Sequence, residues 1–168
     1  RNKEVLYIVS SDSLYNISFR HEQQQAVRLS QRLDSLMPGN QSVFNPYNNT
    51  LYNFYIDHKK GGAYDSLGNR WDVSYTPDLL TVYWQANKFI SATDSSLYVL
   101  GGYGPMQYKN TVQRYHFPDK NWDSVPVSGE RLTPRYLAAG GTTSGGDTAY
   151  FLGGYGSNSG NQVVNPRH

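Results

Sequence analysis

The chain contains no cysteine. That absence excludes disulfides, thiolate metal ligands and cysteine nucleophiles together. Charge is sparse as well: only 17% of the 168 residues are charged, glutamate occurs at positions 4, 22 and 130 alone, and the formal net charge is +2. So small and scattered a charge excludes the basic footprint of a nucleic-acid binder. With so few glutamates, a paired acid–base site would have to draw aspartates from distant segments. No apolar run approaches the roughly 18 residues of a membrane-spanning helix, so membrane insertion is not expected. There is no Gly-x-Ser-x-Gly elbow for a serine nucleophile. The glycines at Gly145-Gly146 and Gly154-Tyr155-Gly156 have no helix behind them to concentrate positive potential, so they make no phosphate cradle. The four histidines, His21, His58, His116 and His168, lie 37 to 58 residues apart, without the close pairing of metal ligands. No metal and no cofactor is expected.

What the chain has in quantity is aromatic side chains and turn residues. Aromatics make up 14%, with fifteen tyrosines, beside sixteen glycines and eight prolines. Aromatic and β-branched residues suit the pleated faces of twisted sheets, and the glycines and prolines punctuate them. Two spaced features recur. Tyr64 and Trp71 are separated by six residues, and the same pair returns 51 residues later as Tyr115 and Trp122. An apolar run ending in diglycine, Leu97-Tyr98-Val99-Leu100-Gly101-Gly102, returns 52 residues on as Ala149-Tyr150-Phe151-Leu152-Gly153-Gly154. A period near 50 built from short strands and turns marks a propeller-like repeat.

Four units follow from that period. Residues 83–127 hold the best defined: strands over Lys88–Thr93, Leu97–Leu100, Thr111–His116 and from Trp122, with a tight turn at Asp94-Ser95-Ser96 and a polar loop at 103–110. Residues 132–168 start a further unit. There Arg135–Gly140 matches Lys88–Thr93 in size and polarity, a glycine-rich turn follows, and the chain ends before a Tyr–Trp pair. Residues 41–77 form a shorter unit, with strands over 41–45 and 50–57 and a hairpin through Lys59-Lys60-Gly61-Gly62. Residues 1–40 read as a degenerate blade opening with a hairpin over Val5–Phe19. A helix over Gln23–Leu36 is the alternative there, because Ala26, Leu29, Leu33 and Leu36 recur at helical spacing. The start at Arg1 and the truncated last unit mark the chain as an excised piece of a longer protein.

The diglycine after an apolar strand, the Tyr–Trp pair and the basic residue opening the first strand together resemble the kelch repeat. The resemblance is close over 83–154, fair over 41–75 and weak over 1–40. It implies an all-β fold, a kelch-type β-propeller segment of about three to four four-stranded antiparallel blades. Gly101, Gly102, Gly153, Gly154, Tyr64, Trp71, Tyr115 and Trp122 are then structural, the aromatics packing between neighbouring blades. The remaining blades would come from the parent chain or from a second copy. Kelch-like enzymes of the galactose oxidase group use copper and a tyrosine–cysteine cross-link, which a chain without cysteine cannot build.

Propeller loops carry recognition because the strands only hold them. The loop residues with flat apolar area and hydrogen-bonding groups are Tyr75, Trp84, Tyr103, Gln107, Tyr108, Lys109, Arg131, Arg135, Tyr155 and Asn158. The expected function is non-enzymatic: an interaction module that recognises a protein or a glycan through its loop face. The alternative is a fragment of a carbohydrate-active propeller enzyme, a sugar epimerase or galactose-oxidase relative, with catalytic groups outside this chain. Composition points to a secreted, periplasmic or cell-surface bacterial protein.

Overall fold

The structure, a computed structural model, describes residues 5–31, 41–55, 60–72 and 85–161. All regular structure among them is β, in small antiparallel sheets that follow one another along the chain.

The first sheet is a meander of β1 (Val5–Val9), β2 (Ser13–Ser18) and β3 (Gln23–Arg28). The helical alternative over Gln23–Leu36 is therefore wrong at its start, since β3 pairs with β2 from Ser18↔Gln23 to Ser13↔Arg28. Val27 and Leu29 turn toward the core and Ala26 outward, a period of two rather than 3.6. A glutamine-rich run has no strong β preference of its own, so the waiting edge of β2 decides its state. Leu33 and Leu36 lie outside the described residues.

The second sheet runs β4 (Gln41–Asn45), β5 (Thr50–Tyr55), β6 (Lys60–Asp65) and β7 (Arg70–Asp72), again in chain order. Gly61 and Gly62, expected in a hairpin turn, lie inside β6, opposite Phe54 and Asn53. A strand tolerates glycines where the facing strand supplies the bulk, and Phe54 does so here.

In the third sheet β8 (Asn87–Ser91) and β9 (Ser96–Leu100) are followed by a small hairpin, β10 (Tyr103–Gly104) with β11 (Gln107–Tyr108). Then β12 (Val112–His116) and β13 (Asn121–Val125) complete the order β13-β12-β9-β8. The last unit contains β14 (Arg135–Tyr136), β15 (Ala139–Thr142), β16 (Ala149–Leu152) and β17 (Tyr155–Gly156), with β15 paired to β16 and β14 to β17. The matching of Arg135–Gly140 to Lys88–Thr93 is out of register. Ala139 pairs with Leu152 as Asn87 pairs with Leu100, so Ala139–Thr142 is the true counterpart of Asn87–Ile90. Leu137, at φ 53°, breaks the strand and frees Arg135–Tyr136 to pair with β17.

One turn recurs throughout. Four-residue links at 19–22, 46–49, 66–69, 92–95 and 117–120 each end in a left-handed residue: Glu22, Asn49, Asn69, Ser95 and Lys120, at φ between 48° and 54°. Asparagine accepts that conformation readily, and the other three carry some strain.

The repeated Tyr–Trp pair is a directly opposed cross-strand pair in both complete sheets, Tyr64↔Trp71 and Tyr115↔Trp122. Each pair faces the preceding sheet. Trp71 is buried with Leu51 against Leu14 and Leu29 of the first sheet, and Tyr7 stacks on Phe44 at 5.2 Å. Tyr115 and Trp122 are buried against Phe54 of the second sheet, with ring centroids 5.1 and 5.5 Å from it, while Phe117 lies 4.7 Å from Tyr52. The fourth unit continues the stack through Phe151, 6.2 Å from Phe89, and Ala138 donates its backbone N–H to Asn87 Oδ1 at 2.8 Å. Sheets stacked face to face in chain order are compatible with a propeller-like arrangement.

Trp122→Ala is expected to cost about 3–5 kcal/mol in urea unfolding, the range for emptying a buried indole site. A loss under about 1 kcal/mol would mean that the sheets are not held together there.

A second expectation concerns acid. Asp123 is held below the usual carboxylate range chiefly by its hydrogen bonds from Arg114 (3.0 Å from Nε and 2.5 Å from Nη2), with burial opposing. A depressed native pKa stabilises the fold above about pH 4, and that contribution fades as pH falls through the native value. The side chains are 35% and 45% exposed, so solvent screening limits the pair to about 0.2–1 kcal/mol. The stability gap between the native chain and Asp123→Asn should therefore be present at pH 6 and close on acidification. A gap that is independent of pH would contradict this.

Candidate functional site

The loops at one end of the third and fourth sheets are sewn together by their backbones. Gly101 N–H donates to Thr111 O (3.0 Å), Gly102 N–H to Arg135 O (2.8 Å) and Lys109 N–H to Gly102 O (2.9 Å). Arg135 N–H returns a bond to Lys109 O (3.2 Å), and Tyr108 N–H donates to Gly160 O (2.7 Å). Gln107 bridges to Asn161 in antiparallel fashion. The diglycine is what permits this weave. Gly101 has φ 66°, and a Cβ there would run into the Arg135 carbonyl. Gly154 is similar, at φ 88° with a Cβ position 2.7 Å from Tyr136 O.

On this platform four tyrosines form a ladder. Tyr103 lies 5.5 Å from Tyr108 and 5.6 Å from Tyr136; Tyr108 and Tyr136 are near parallel at 5.8 Å; Tyr155 lies 5.9 Å from Tyr136. Tyr155 is 67% exposed, so the ladder ends in solvent rather than in the core. Offset rings at such separations attract one another, which holds the apolar faces at fixed spacing.

The residues next to the ladder tyrosines, Lys109 after Tyr108 and Arg135 before Tyr136, line a separate cleft of about 280 Å³ together with Leu100, Phe151, Glu130 and Arg131. Arg135 is anchored, donating from Nη1 to Gly153 O at 3.0 Å and from Nε to Thr133 O at 3.3 Å. Lys109 Nζ donates to Gln107 Oε1 at 2.9 Å. Arg131 and Glu130 are exposed at the rim. Three cations against one carboxylate give the cleft a positive bias.

Of the loop residues singled out in the sequence, Lys109, Arg131 and Arg135 meet in this cleft, and Tyr103, Tyr108 and Tyr155 meet in the ladder, with Gln107 beside them. Asn158 sits exposed in the 157–160 turn, apart from the cleft lining. Tyr75 and Trp84 lie outside the described residues. Sequence reading missed Tyr136, the centre of the ladder, and Glu130. Tyr136 was hidden by its assignment to the interior of a six-residue strand; only the break at Leu137 turns it onto the platform. Among the described residues, no three His, Asp or Glu side chains come together as metal ligands. His116 Nδ1 lies 2.6 Å from Asp119 Oδ2 in its own hairpin.

The two diglycines separate backbone strain from crowding. Gly153 has φ 70° but open space where its Cβ would stand, whereas Gly101 has a carbonyl there. Gly153→Ala should cost about 1–2 kcal/mol for the left-handed backbone alone. Gly101→Ala should cost measurably more and broaden the amide resonances of residues 107–110. Equal losses in thermal unfolding would mean that the weave does not depend on Gly101.

Against protein-family models and curated protein sequences the chain matches none, which leaves its chemistry to be argued from its own residues.

Proposed function

We propose that the chain is a kelch-type β-propeller segment acting as a non-enzymatic binding module, which recognises a glycan or protein ligand through its loop face. The kelch reading is supported by the Tyr–Trp pair, which occupies the same register of the third and fourth strands in two successive meanders. Both ends of the stack leave apolar side chains in solvent. On the first sheet these are Leu6 and Ile8, 44% and 45% exposed; on the last they are Tyr150 and Leu152, 61% and 74% exposed. Such faces suit further blades, from a longer chain or a second copy.

The observations that carry the binding reading are the tyrosine ladder and the cation-lined cleft, which draw on adjacent residues of the chain, Tyr108 with Lys109 and Tyr136 with Arg135. Stacked phenol rings offer flat apolar area with hydroxyl groups at the edge, and guanidinium groups take carboxylates in paired hydrogen bonds. That combination favours a ligand with an apolar face and an acidic group. Immobilised sialylated, uronate-containing and neutral oligosaccharides, with acidic peptides alongside, test it directly. Binding to an acidic member is expected, weakened about tenfold or more by Arg131→Ala, the loss of one charge-assisted bond. Tyr155→Ala should weaken it too, and Arg131→Ala, at an exposed rim position, should not shift Tm. Binding that ignores both substitutions would place the ligand elsewhere.

A further inference from the structure

A second hollow, remote in chemistry from the loop-side cleft, opens between the first and second sheets, with a volume of about 480 Å³. One wall is a transverse row on the first sheet, Tyr7 opposite Asn16 opposite Gln25. The other is built from Phe44, Leu51 and Tyr64 of the second sheet, rimmed by its 46–49 and 66–69 turns. Five carboxamides, two aliphatic hydroxyls and three aromatic rings line it, and among the described lining residues none carries a charge.

We propose that this hollow binds a neutral saccharide. A pyranose ring presents apolar C–H groups on its faces and hydroxyls round its edge, each both donor and acceptor. The aromatic surface left free by the Tyr7–Phe44 stack, together with Tyr64, matches the first, and carboxamides, with a carbonyl acceptor and two N–H donors, match the second. A phosphate or carboxylate ligand would call for cations, which this lining lacks. An extended peptide would call for a free strand edge, and the hollow opens between sheet faces.

Some of the amides are already committed. Asn48 Nδ2 donates to Tyr52 Oη at 2.8 Å and its Oδ1 accepts from Thr50 N–H at 3.2 Å, while Asn69 Oδ1 accepts from Tyr64 Oη at 3.3 Å. These bonds fix the rim. Asn16 and Gln25, adjacent across β2 and β3, make no side-chain hydrogen bond to the described residues, so two full amides face the hollow ready to pair. The hollow is also held open at its far side, where Ser30 N–H donates to Asn69 O at 2.8 Å and Ser30 Oγ to Gly68 O at 2.7 Å, tying the first sheet to the turn of the second.

The test is a titration of the ¹⁵N-labelled chain with neutral trisaccharides of glucose, mannose and galactose, and with trigalacturonate as the charged counterpart. At least one neutral sugar should give saturable shifts at the amides of residues 16, 25, 49 and 69, and trigalacturonate should give none there. Asn16→Ala with Gln25→Ala should weaken that binding about tenfold or more, two hydrogen bonds being lost, without changing Tm. Gln25→Glu, at an exposed position, serves as the second variant and should weaken it likewise. Silence from all three neutral sugars at millimolar concentration overturns the proposal, as does binding that both variants leave intact. Shifts confined to residues 130–136 also overturn it, while leaving the loop-side reading standing.

Discussion

Everything else in this molecule depends on one sheet laying its tyrosine and tryptophan onto the sheet before it. A meander of about 30 residues has two faces and cannot bury both by itself. The second sheet shows the solution in full. Leu51, Trp71, Phe44 and Tyr64 lie against the first sheet, and Val43, Tyr52, Phe54 and Ala63 against the third. Alternation along each strand sends neighbours to opposite faces, so one six-residue strand, β5, supplies Leu51 to the interface with the first sheet and Tyr52 and Phe54 to the interface with the third. Both buried clusters are shared between successive sheets, so each unit buries its apolar faces only against its neighbours.

That stack leaves the connections free to vary. From the second sheet to the third, the first hairpin is displaced by 46 positions (Thr50 to Ser96) and the second by 51 (Tyr64 to Tyr115). The five added positions fall between β9 and β12, where the diglycine and the β10–β11 hairpin stand. The tyrosine platform is thus an insertion on an unchanged frame. Its rigidity comes from backbone bonds to two other loops rather than from burial, and this keeps Tyr155 in solvent while fixing its neighbours.

The fold was legible where spacing and chemistry agreed. The Tyr–Trp gap located a cross-strand pair because a four-residue turn between opposed partners fixes their separation at six residues, and burial of Trp71 and Trp122 needs nothing more than that pattern. Legibility failed where a local pattern had two physical meanings. Ala26 and Leu29 fit a helix stripe, yet Val27 and Leu29 fit a strand edge, and only β2 chooses between them. Gly61-Gly62 looked like a turn because the bulk that stabilises it is on Phe54, across the ladder. At the loop-side cleft, single residues were readable and their convergence was not. Lys109, Arg131 and Arg135 are brought into one cleft by the Gly102–Arg135 hydrogen bond, a contact between segments more than 30 positions apart. The neutral hollow was invisible for the same reason, its two walls coming from different sheets.

A comparison of equivalent rows shows how far composition can report on cover. Across the second sheet run Val43, Tyr52, Ala63 and Asp72, each opposite the next, and the first three are packed under the third sheet. The same row across the third sheet is Phe89, Tyr98, Arg114 and Asp123. Phe89, at the β8 end, meets Phe151 and stacks on Tyr98 at 5.0 Å. Toward β12 and β13 the row turns polar: Tyr98 Oη donates to Asp94 Oδ2 at 2.7 Å, and Arg114 bridges Asp123 and, at 3.6 Å, Asp94. An arginine standing where the preceding sheet has an alanine costs little only while water reaches it, and Arg114 keeps 35% of its side chain exposed. The half of the row under the fourth unit is aromatic and the half beyond it is charged. Residue type therefore changes along a single line of the sheet at the place where the overlying strands end.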